Sequence, residues 1–382
     1  MSDPIQMNPD LASPVSPQTS SHKKAYLLLL ILVIIAGLIW GYLWSQNNSV
    51  PLADRVAVIS DNFNSGNLDQ AITDASKLAK SSDQNTKIAG LLSLASSYSQ
   101  KGSIEFKEVE YGTKAIEVAN QVLALDPNNA DAYREIGYAN EIMQKYDEAI
   151  KAYNKAVSLN PQDADAYSNM GHAYSLMGDN KKAEENYLKA VALGGTSAHT
   201  LYNLARLYYS QGDMIKAEEY SSKTVSSSDN SRFTAEAYDM LGLIKLSSEN
   251  FSEAIKNFDL AITSDPKLAN AYVHLASAKI SEVTAKMFGG DLVGFRASRD
   301  QVLTEALSLV DKALAINPNL TIAFIERAEL LSLSAKYTEA LSALVRAGIS
   351  ASTDITLSAT EKVGIKKEIE VRTGIINSLK TK

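Results

Sequence analysis

Residues of the same kind recur at intervals of 34 along the middle of this chain. The residues that keep this interval are Gly137 and Gly171; Ala149, Ala183 and Ala217; Pro127 and Pro161; and Tyr238 and Tyr272. Each interval holds two apolar patterns of helical period, joined by a polar turn. Self-similarity of this kind predicts an array of helix pairs in which each pair buries its apolar side against its neighbours.

Three glycines, Gly137, Gly171 and Gly242, fall in the middle of the first predicted helix of their intervals. Glycine costs up to about 1 kcal/mol relative to alanine inside a helix. We therefore expect a neighbouring helix to approach these positions closely. Small residues also hold the equivalent places in other intervals: Ala205, Ala276 and Ala328.

The repeated residues resemble the tetratricopeptide repeat family, whose pattern is an aromatic residue, Leu-Gly and Tyr, then Ala, an aromatic residue and Pro. The match is specific in three intervals: Tyr133, Ile136, Gly137, Ala149, Tyr153, Ala156 and Pro161; Tyr167, Met170, Gly171, Tyr174, Ala183, Tyr187 and Ala190; and Tyr238, Leu241, Gly242, Ala254, Phe258, Ala261 and Pro266. Tyrosine or phenylalanine replaces the first-helix tryptophan of the family. Ser221 and Thr224 make the interval 198–231 a weaker copy.

The resemblance implies an all-α fold, a right-handed α-solenoid of about eight helix pairs closed by a C-terminal capping helix. The solenoid would cover 52–354 and the cap 355–382, with a polar outer side on the cap. An insertion near 282–299 interrupts the seventh unit, and we expect it to fold back on the solenoid rather than to present a docking surface. The predicted units are 52–87, 88–129, 130–163, 164–197, 198–231, 235–268, 269–320 and 321–354.

One apolar segment, 25–44, has no charged residue and contains both tryptophans of the chain, Trp40 and Trp44. A helix of that length spans about 30 Å, which is the thickness of the hydrocarbon core of a bilayer. Its aromatic ends suit the membrane interface. The sequence therefore predicts one N-terminal transmembrane helix over 25–44, between a disordered tail, 1–22, and a linker, 45–51.

Lys23 and Lys24 stand directly before the apolar segment. The positive-inside rule then places the N-terminus in the cytoplasm and the repeats outside it, on a single-pass protein of the cell membrane. The reverse orientation, with the repeats facing the cytosol as in an import-type receptor, is the alternative. A cleaved signal peptide is disfavoured because 40–48 offers no small-x-small cleavage site.

Composition excludes many kinds of site. The chain has no cysteine and only four histidines, so thiolate metal sites, disulfides and cysteine nucleophiles are impossible. No phosphate-binding loop, nucleophile elbow or zinc-protease motif is present. We predict no catalytic residue, no metal, no cofactor and no small-molecule substrate. The net charge of −7 falls wholly beyond the apolar segment, which argues against nucleic acid as a partner.

The resemblance places function in the groove lined by the first helices. Asn169 and Asn203 stand 34 residues apart, and an amide that donates and accepts suits an extended peptide backbone. Arg134 and Arg206 are placed to pair with an acidic side chain or a terminal carboxylate. The alternative interpretation is that these side chains bind no partner and are ordinary solvated polar residues on the surface of the scaffold. The predicted groove residues are Arg134, Tyr138, Asn169, His172, Tyr202, Asn203, Arg206 and Tyr209, with Glu141, Asp165, Ser168, His199, Glu236 and Asp239 beside them.

The sequence as a whole predicts a non-catalytic, membrane-anchored scaffold that binds a protein or peptide partner in its groove. Architectures of this kind serve envelope assembly, secretion or chaperone-type processes, and the fold cannot choose among them. The alternative from another class is an accessory subunit of a glycosyltransferase or other enzyme complex.

Overall fold

The computed structural model describes Ile35, Ile39 and residues 50–381, with gaps at 228–230, 289–291, 355–356 and 358. In this part of the chain 17 helices and no strand are found. The helices are α1 Leu52–Asn64, α2 Leu68–Leu78, α3 Gln84–Glu105, α4 Glu108–Leu125, α5 Ala130–Ile142, α6 Tyr146–Leu159, α7 Ala164–Leu176, α8 Asn180–Ala192 and α9 Ala198–Ser210. They continue with α10 Met214–Ser227, α11 Ser231–Ser247, α12 Phe251–Ser264, α13 Ala269–Phe288, α14 Leu292–Ile316, α15 Thr321–Leu333, α16 Tyr337–Thr353 and α17 Ala359–Lys380.

The chain divides into two compact units, Met1–Lys107 and Glu108–Lys382. In the first unit, α2 packs on α3, and α1 packs on both. The boundary falls inside the predicted repeat 88–129, so α3 belongs to the first unit and α4 to the second. The eight predicted repeats nevertheless hold two helices each, followed by α17.

The second unit is a series of helix pairs. The pairs are α5–α6, α7–α8, α9–α10, α11–α12, α13–α14 and α15–α16, and the second helix of each packs on the first helix of the next. Short turns join the helices, so consecutive helices run in opposite directions. The first helices also contact one another in sequence, from α5 through α7, α9, α11 and α13 to α15. We call this series of neighbouring helices the first-helix row.

Glycines of the first helices fit against aromatic rings of the second helices. A Cβ atom added at Gly171 would lie 2.8 Å from Cδ1 of Tyr187, closer than side-chain carbons approach in proteins. Gly137 is covered in the same way by Tyr153, and Gly242 by Phe258. The close approach expected from the glycines is confirmed, and the neighbour is the second helix of the same pair.

Polar N-caps repeat with the same interval as the glycines. The side chains of Asn129, Asp163 and Ser197 accept hydrogen bonds from the backbone N–H groups of Ala132, Ala166 and Thr200. Each satisfies one of the unpaired donors of a helix start, which is worth about 1 kcal/mol. These caps fix where α5, α7 and α9 begin, and therefore which side chains face along the first-helix row.

The insertion at 282–299 is built into the helices on either side of it, because α13 has 20 residues and α14 has 25. Its apolar side chains from Met287 to Phe295 lie outside the described residues. The predicted C-terminal helix is present as α17. Its outer side is less polar than expected, since Val363, Val371 and Ile375 are all exposed.

Within the described residues, no helix is both long and apolar enough to cross a membrane. The predicted transmembrane helix, 25–44, lies outside those residues apart from Ile35 and Ile39, which are helical and exposed. The predicted tail, 1–22, and nearly all of the linker, 45–51, also lie outside them.

Candidate functional site

A carboxylate of α5 joins the first two helices of the first-helix row. Glu141 is buried; its Oε2 accepts a hydrogen bond from the hydroxyl of Tyr153, 3.1 Å away, and its Oε1 accepts one from Nδ1 of His172 at 2.8 Å. Burial, with the charge of Glu141, raises the pKa of Tyr153. His172 is therefore held in one orientation by α5, and only its other ring nitrogen is available to a partner.

Arg134 forms ion pairs within the chain. Its guanidinium lies 2.8 Å from Asp131, 3.2 Å from Asp165 and 3.7 Å from the buried oxygen of Asp163. The neighbouring carboxylates, which outweigh the effect of burial, raise the pKa of Arg134. Three carboxylates of the chain therefore already neutralise Arg134, which the sequence predicts to pair with a carboxylate of the partner.

The two equivalent asparagines have different surroundings. Asn203 is 5% exposed, and its amide N–H donates to Nε2 of His199 at 2.9 Å. Asn169 is half-buried and makes no side-chain hydrogen bond to any described residue. Ser168 is also buried, with its hydroxyl 2.8 Å from that of Thr200. Of these predicted groove residues, Asn169 alone offers an unused amide at the surface of the described chain.

Aromatic rings continue the first-helix row from α7 to α11. The ring of His199 lies edge-on to His172 and to Phe233, each at a centroid distance of 5.8 Å, and Tyr202 lies 6.3 Å from Phe233. We call these four residues the aromatic row. Such offset and edge-to-face contacts are the favoured geometries for aromatic pairs.

Phe233 was not among the residues predicted from the sequence, because the repeat pattern there was counted from 235. The helix α11 begins four residues earlier, at Ser231. The signal was present: Phe233, Ala237 and Met240 follow the spacing i, i+4 and i+7 of a helical apolar face.

Arg206 stands one turn after Tyr202 on α9 and is exposed. It forms no ion pair with any described residue, which distinguishes it from Arg134. Tyr209 and Tyr138 are half-buried, and burial raises the pKa values of both Tyr202 and Tyr209, so these phenols stay neutral and can donate hydrogen bonds. Because His199, Tyr202, Arg206 and Tyr209 are spaced three or four residues apart, they share one side of α9.

A second carboxylate–histidine contact lies further along the first-helix row. Nδ1 of His274 donates to both oxygens of Asp239, at 2.9 and 3.1 Å, and joins α13 to α11. Glu236, also predicted for the groove, pairs with Arg232 on its own helix at 3.0 Å. In the part of the chain that the structure describes, no group of three or more His, Asp or Glu side chains is arranged to hold a metal ion.

Acid should weaken the fold at His199. Burial, and then the neighbouring His172 and Arg206, lower the pKa of His199 to about 4. An unfolded chain binds this proton near pH 6.5, so stability is lost as the pH falls from 6.5 towards 4, by up to about 3 kcal/mol. We expect the melting temperature of His199→Gln to fall less than that of the wild type between pH 7 and pH 5. Equal losses in the two proteins would contradict this assignment.

Sequence models of known repeats match the part of the chain that carries this site. A model described as TPR repeat matches residues 142–178, and two described as Tetratricopeptide repeat match 164–193 and 196–278. The chain contains tetratricopeptide repeats. Its helix pairs, with a small first-helix residue under an aromatic second-helix ring, are therefore units of a tetratricopeptide α-solenoid.

One solved structure shares the fold with a TM-score above 0.5, and others match less well. The Cut9–Hcn1 hetero-tetramer of APC/C is matched with a TM-score of 0.57 at 15% identity, over 79% of this chain and 52% of the other. A tetratricopeptide repeat protein from Parabacteroides merdae gives 0.49 at 16% identity over 73% and 98%, and yeast Tom70 gives 0.48 at 19% over 80% and 58%. The chain spans about half the length of the first of these. No curated protein matches the chain.

Proposed function

We propose that this protein is a non-catalytic scaffold that holds a protein or peptide partner on its first-helix row. The observation that carries the proposal is that α7 and α9 present polar groups with no hydrogen-bond partner in the described chain. Asn169 lies on α7, and Tyr202 and Arg206 lie on α9. Arg206 is an exposed cation and Asn169 an unbonded amide, while the carboxylates and arginines on either side are paired within the chain.

The contact chemistry follows from these groups. The amide of Asn169 can donate to a carbonyl and accept from an N–H of an extended backbone. Arg206 can form two parallel hydrogen bonds with a carboxylate of the partner. Tyr202 and Tyr209 supply apolar area with a polar tip, a combination that is enriched at binding interfaces. Asn203 and Ser168, which are buried, would support this surface from behind.

Capture of the partner tests the proposal. Crosslinking of the full chain in intact membranes, followed by mass spectrometry, would identify the partner. We expect the double variant Asn169→Ala, Arg206→Glu to capture it about tenfold less well or worse, since central polar contacts of an interface are often worth more than 1 kcal/mol each. The control is Lys181→Glu on the second helix α8, which should capture the partner as the wild type does. Unchanged capture by the double variant would place the contact elsewhere.

We further propose that the segment 25–44 anchors the chain in the cell membrane and that the repeats lie outside the cytoplasm, where they would serve an envelope assembly, secretion or chaperone-type process. Support comes from the charge-free length of the segment and from Lys23 and Lys24 before it. A topology reporter fused after Lys380 tests this orientation. Reporter activity in the cytoplasm would favour the cytosol-facing alternative.

A further inference from the structure

The last helix, α17, turns a partly apolar side to solvent. Ile365, Ile369 and Ile376 point to the array, and Ile369 and Ile376 pack on residues of α15 and α16. Away from these packed isoleucines, Val363 and Val371 are 69% and 56% exposed. An end helix of a solenoid needs a polar outer side to stay solvated, so these valines mark a surface that gains from being covered.

A glycine leaves a gap among the side chains on the exposed side of α17. Gly374 lies within α17, and a Cβ atom there would meet no other atom within 4 Å. A solvent-facing helical glycine costs about 1 kcal/mol relative to alanine. Unlike Gly137 and Gly242, it has no ring against it within the described chain. Its position therefore leaves a notch on the exposed side of α17.

Opposite charges lie between the valine and the glycine. Lys367 and Glu370 are exposed, and neither forms an ion pair with any described residue. Val363, Lys367, Glu370 and Gly374 are spaced by four, three and four residues, so they form one line along the helix. We call this line the outer stripe of α17.

We propose that the outer stripe binds the outer stripe of a second copy of this chain, with the two helices antiparallel. A two-fold axis between positions 368 and 369 would place Lys367 against Glu370 of the second copy, and Glu370 against its Lys367. The same axis would place Val363 against the notch at Gly374, again twice. The stripe is thus complementary to itself in charge and in shape, as an isologous interface requires.

Shallow apolar depressions beside α17 extend this surface. One of about 490 Å³ lies against α16 and is lined by Val363, Ile365 and Ile369 among others. Another of about 270 Å³ lies against α15 and is lined by Leu333, Ile375 and Leu379. Only the first depression shares residues with the outer stripe, namely Val363 and Glu370, so it alone borders the proposed interface.

Charge reversal tests the proposal. The full chain, kept in a mild detergent, is examined by size-exclusion chromatography with light scattering over a range of concentrations. We expect the wild type to approach twice the monomer mass, and Lys367→Glu and Glu370→Lys each to associate about tenfold more weakly, because each puts two like charges face to face twice. An equal mixture of the two variants should restore association, since every contact then joins opposite charges. Because both residues are exposed, the variants should keep wild-type helicity.

Disulfide formation gives a second test, because the chain has no cysteine. In Val363→Cys, Gly374→Cys, the two thiols of one helix stand about 16 Å apart and cannot bridge, but each would face the other type in the second copy. We expect the double variant to form covalent dimers on mild oxidation and each single variant to form few.

Three outcomes would overturn the proposal: a wild type that stays monomeric at the highest attainable concentration, a mixture of reversal variants that associates no better than either alone, or single cysteine variants that crosslink as well as the double one. A wild type that stays monomeric would mean that the outer stripe does not bind a second copy and that any partner of the stripe is a different protein. None of them bears on partner capture at Asn169 and Arg206.

Discussion

Truncating Phe258 to alanine is expected to lower the free energy of unfolding of the full chain by about 3–5 kcal/mol. Its ring projects from α12 and is fully buried against α11 and α13, where it covers Gly242 and contacts the ring of His274 at a centroid distance of 5.7 Å. Removing the ring leaves a cavity between α11 and α12, and the closely packed interior cannot fill it unless the helices move. Urea denaturation followed by circular dichroism measures the loss.

The glycine under this ring allows a matched comparison. In Gly242→Ala the new methyl group would lie within 3 Å of the Phe258 ring, so overpacking outweighs the gain in helix propensity and the protein is destabilised by about 1–3 kcal/mol. Gly364→Ala on α17 makes the same chemical change where no atom lies within 4 Å, and it should stabilise the helix by up to about 1 kcal/mol.

The two effects should also couple. In the Phe258→Ala background the added methyl group at 242 meets a cavity instead of a ring, so Gly242→Ala should cost less there than in the wild type. If the losses of stability from Gly242→Ala and Phe258→Ala simply added, the packing of Gly242 against Phe258 would be contradicted. The same holds if Phe258→Ala were as stable as the exposed control Ile215→Ala.

A carboxyl group of α5 should make stability fall as the pH rises. One oxygen of Glu135 is enclosed without a hydrogen-bond partner, although the residue as a whole is only partly buried. Burial outweighs the attraction of Arg134 and raises the pKa of Glu135 to about 7. The folded state then keeps a proton that the unfolded chain releases near pH 4.5, so the contribution is complete below that pH and is lost as the pH rises to 7.

The expected loss is up to about 3 kcal/mol between pH 4.5 and pH 7. Glu135→Gln keeps the shape of the neutral side chain, so its stability relative to the wild type should rise over this range. The exposed control Glu148→Gln should show no such trend. The difference between variant and wild type is the quantity to measure, because Glu326, whose pKa is also raised to about 7 by burial, and His199 titrate in the same range. A difference that does not change with pH would show that folding does not raise the pKa of Glu135.

The repeat architecture could be predicted from the sequence because its signals are local. The 34-residue interval, the glycines and the N-caps each specify a helix or a close contact within one pair, and Gly171 against Tyr187 confirms that reasoning. The start of α11 and the exposed side of α17 were missed. At the start of α11 the spacing between repeats departs from 34 residues, and at α17 the repeats end, so no neighbouring copy indicates which residues the chain will bury.

The candidate site was harder to predict, because residues at equivalent positions of two repeats have different neighbours. Asn169 and Asn203 are equivalent in sequence, yet His199 stands within reach of only one of them. Arg134 and Arg206 are both first-helix arginines, yet Asp131, Asp163 and Asp165 surround only the first. Which side chains stay available depends both on partners one turn away on the same helix, such as His199, and on partners about 30 residues away, such as Asp163 and Asp165.

The sequence by itself determined the fold class, the helix pairs and the candidate face of this protein, because periodic burial is encoded within each repeat. Only the tertiary structure decided which polar groups on that face are free, since hydrogen bonds and ion pairs depend on distances between repeats. It also showed that α17 exposes Val363, Lys367, Glu370 and Gly374 in one line, because which side of the last helix is covered depends on how α15 and α16 pack beneath it.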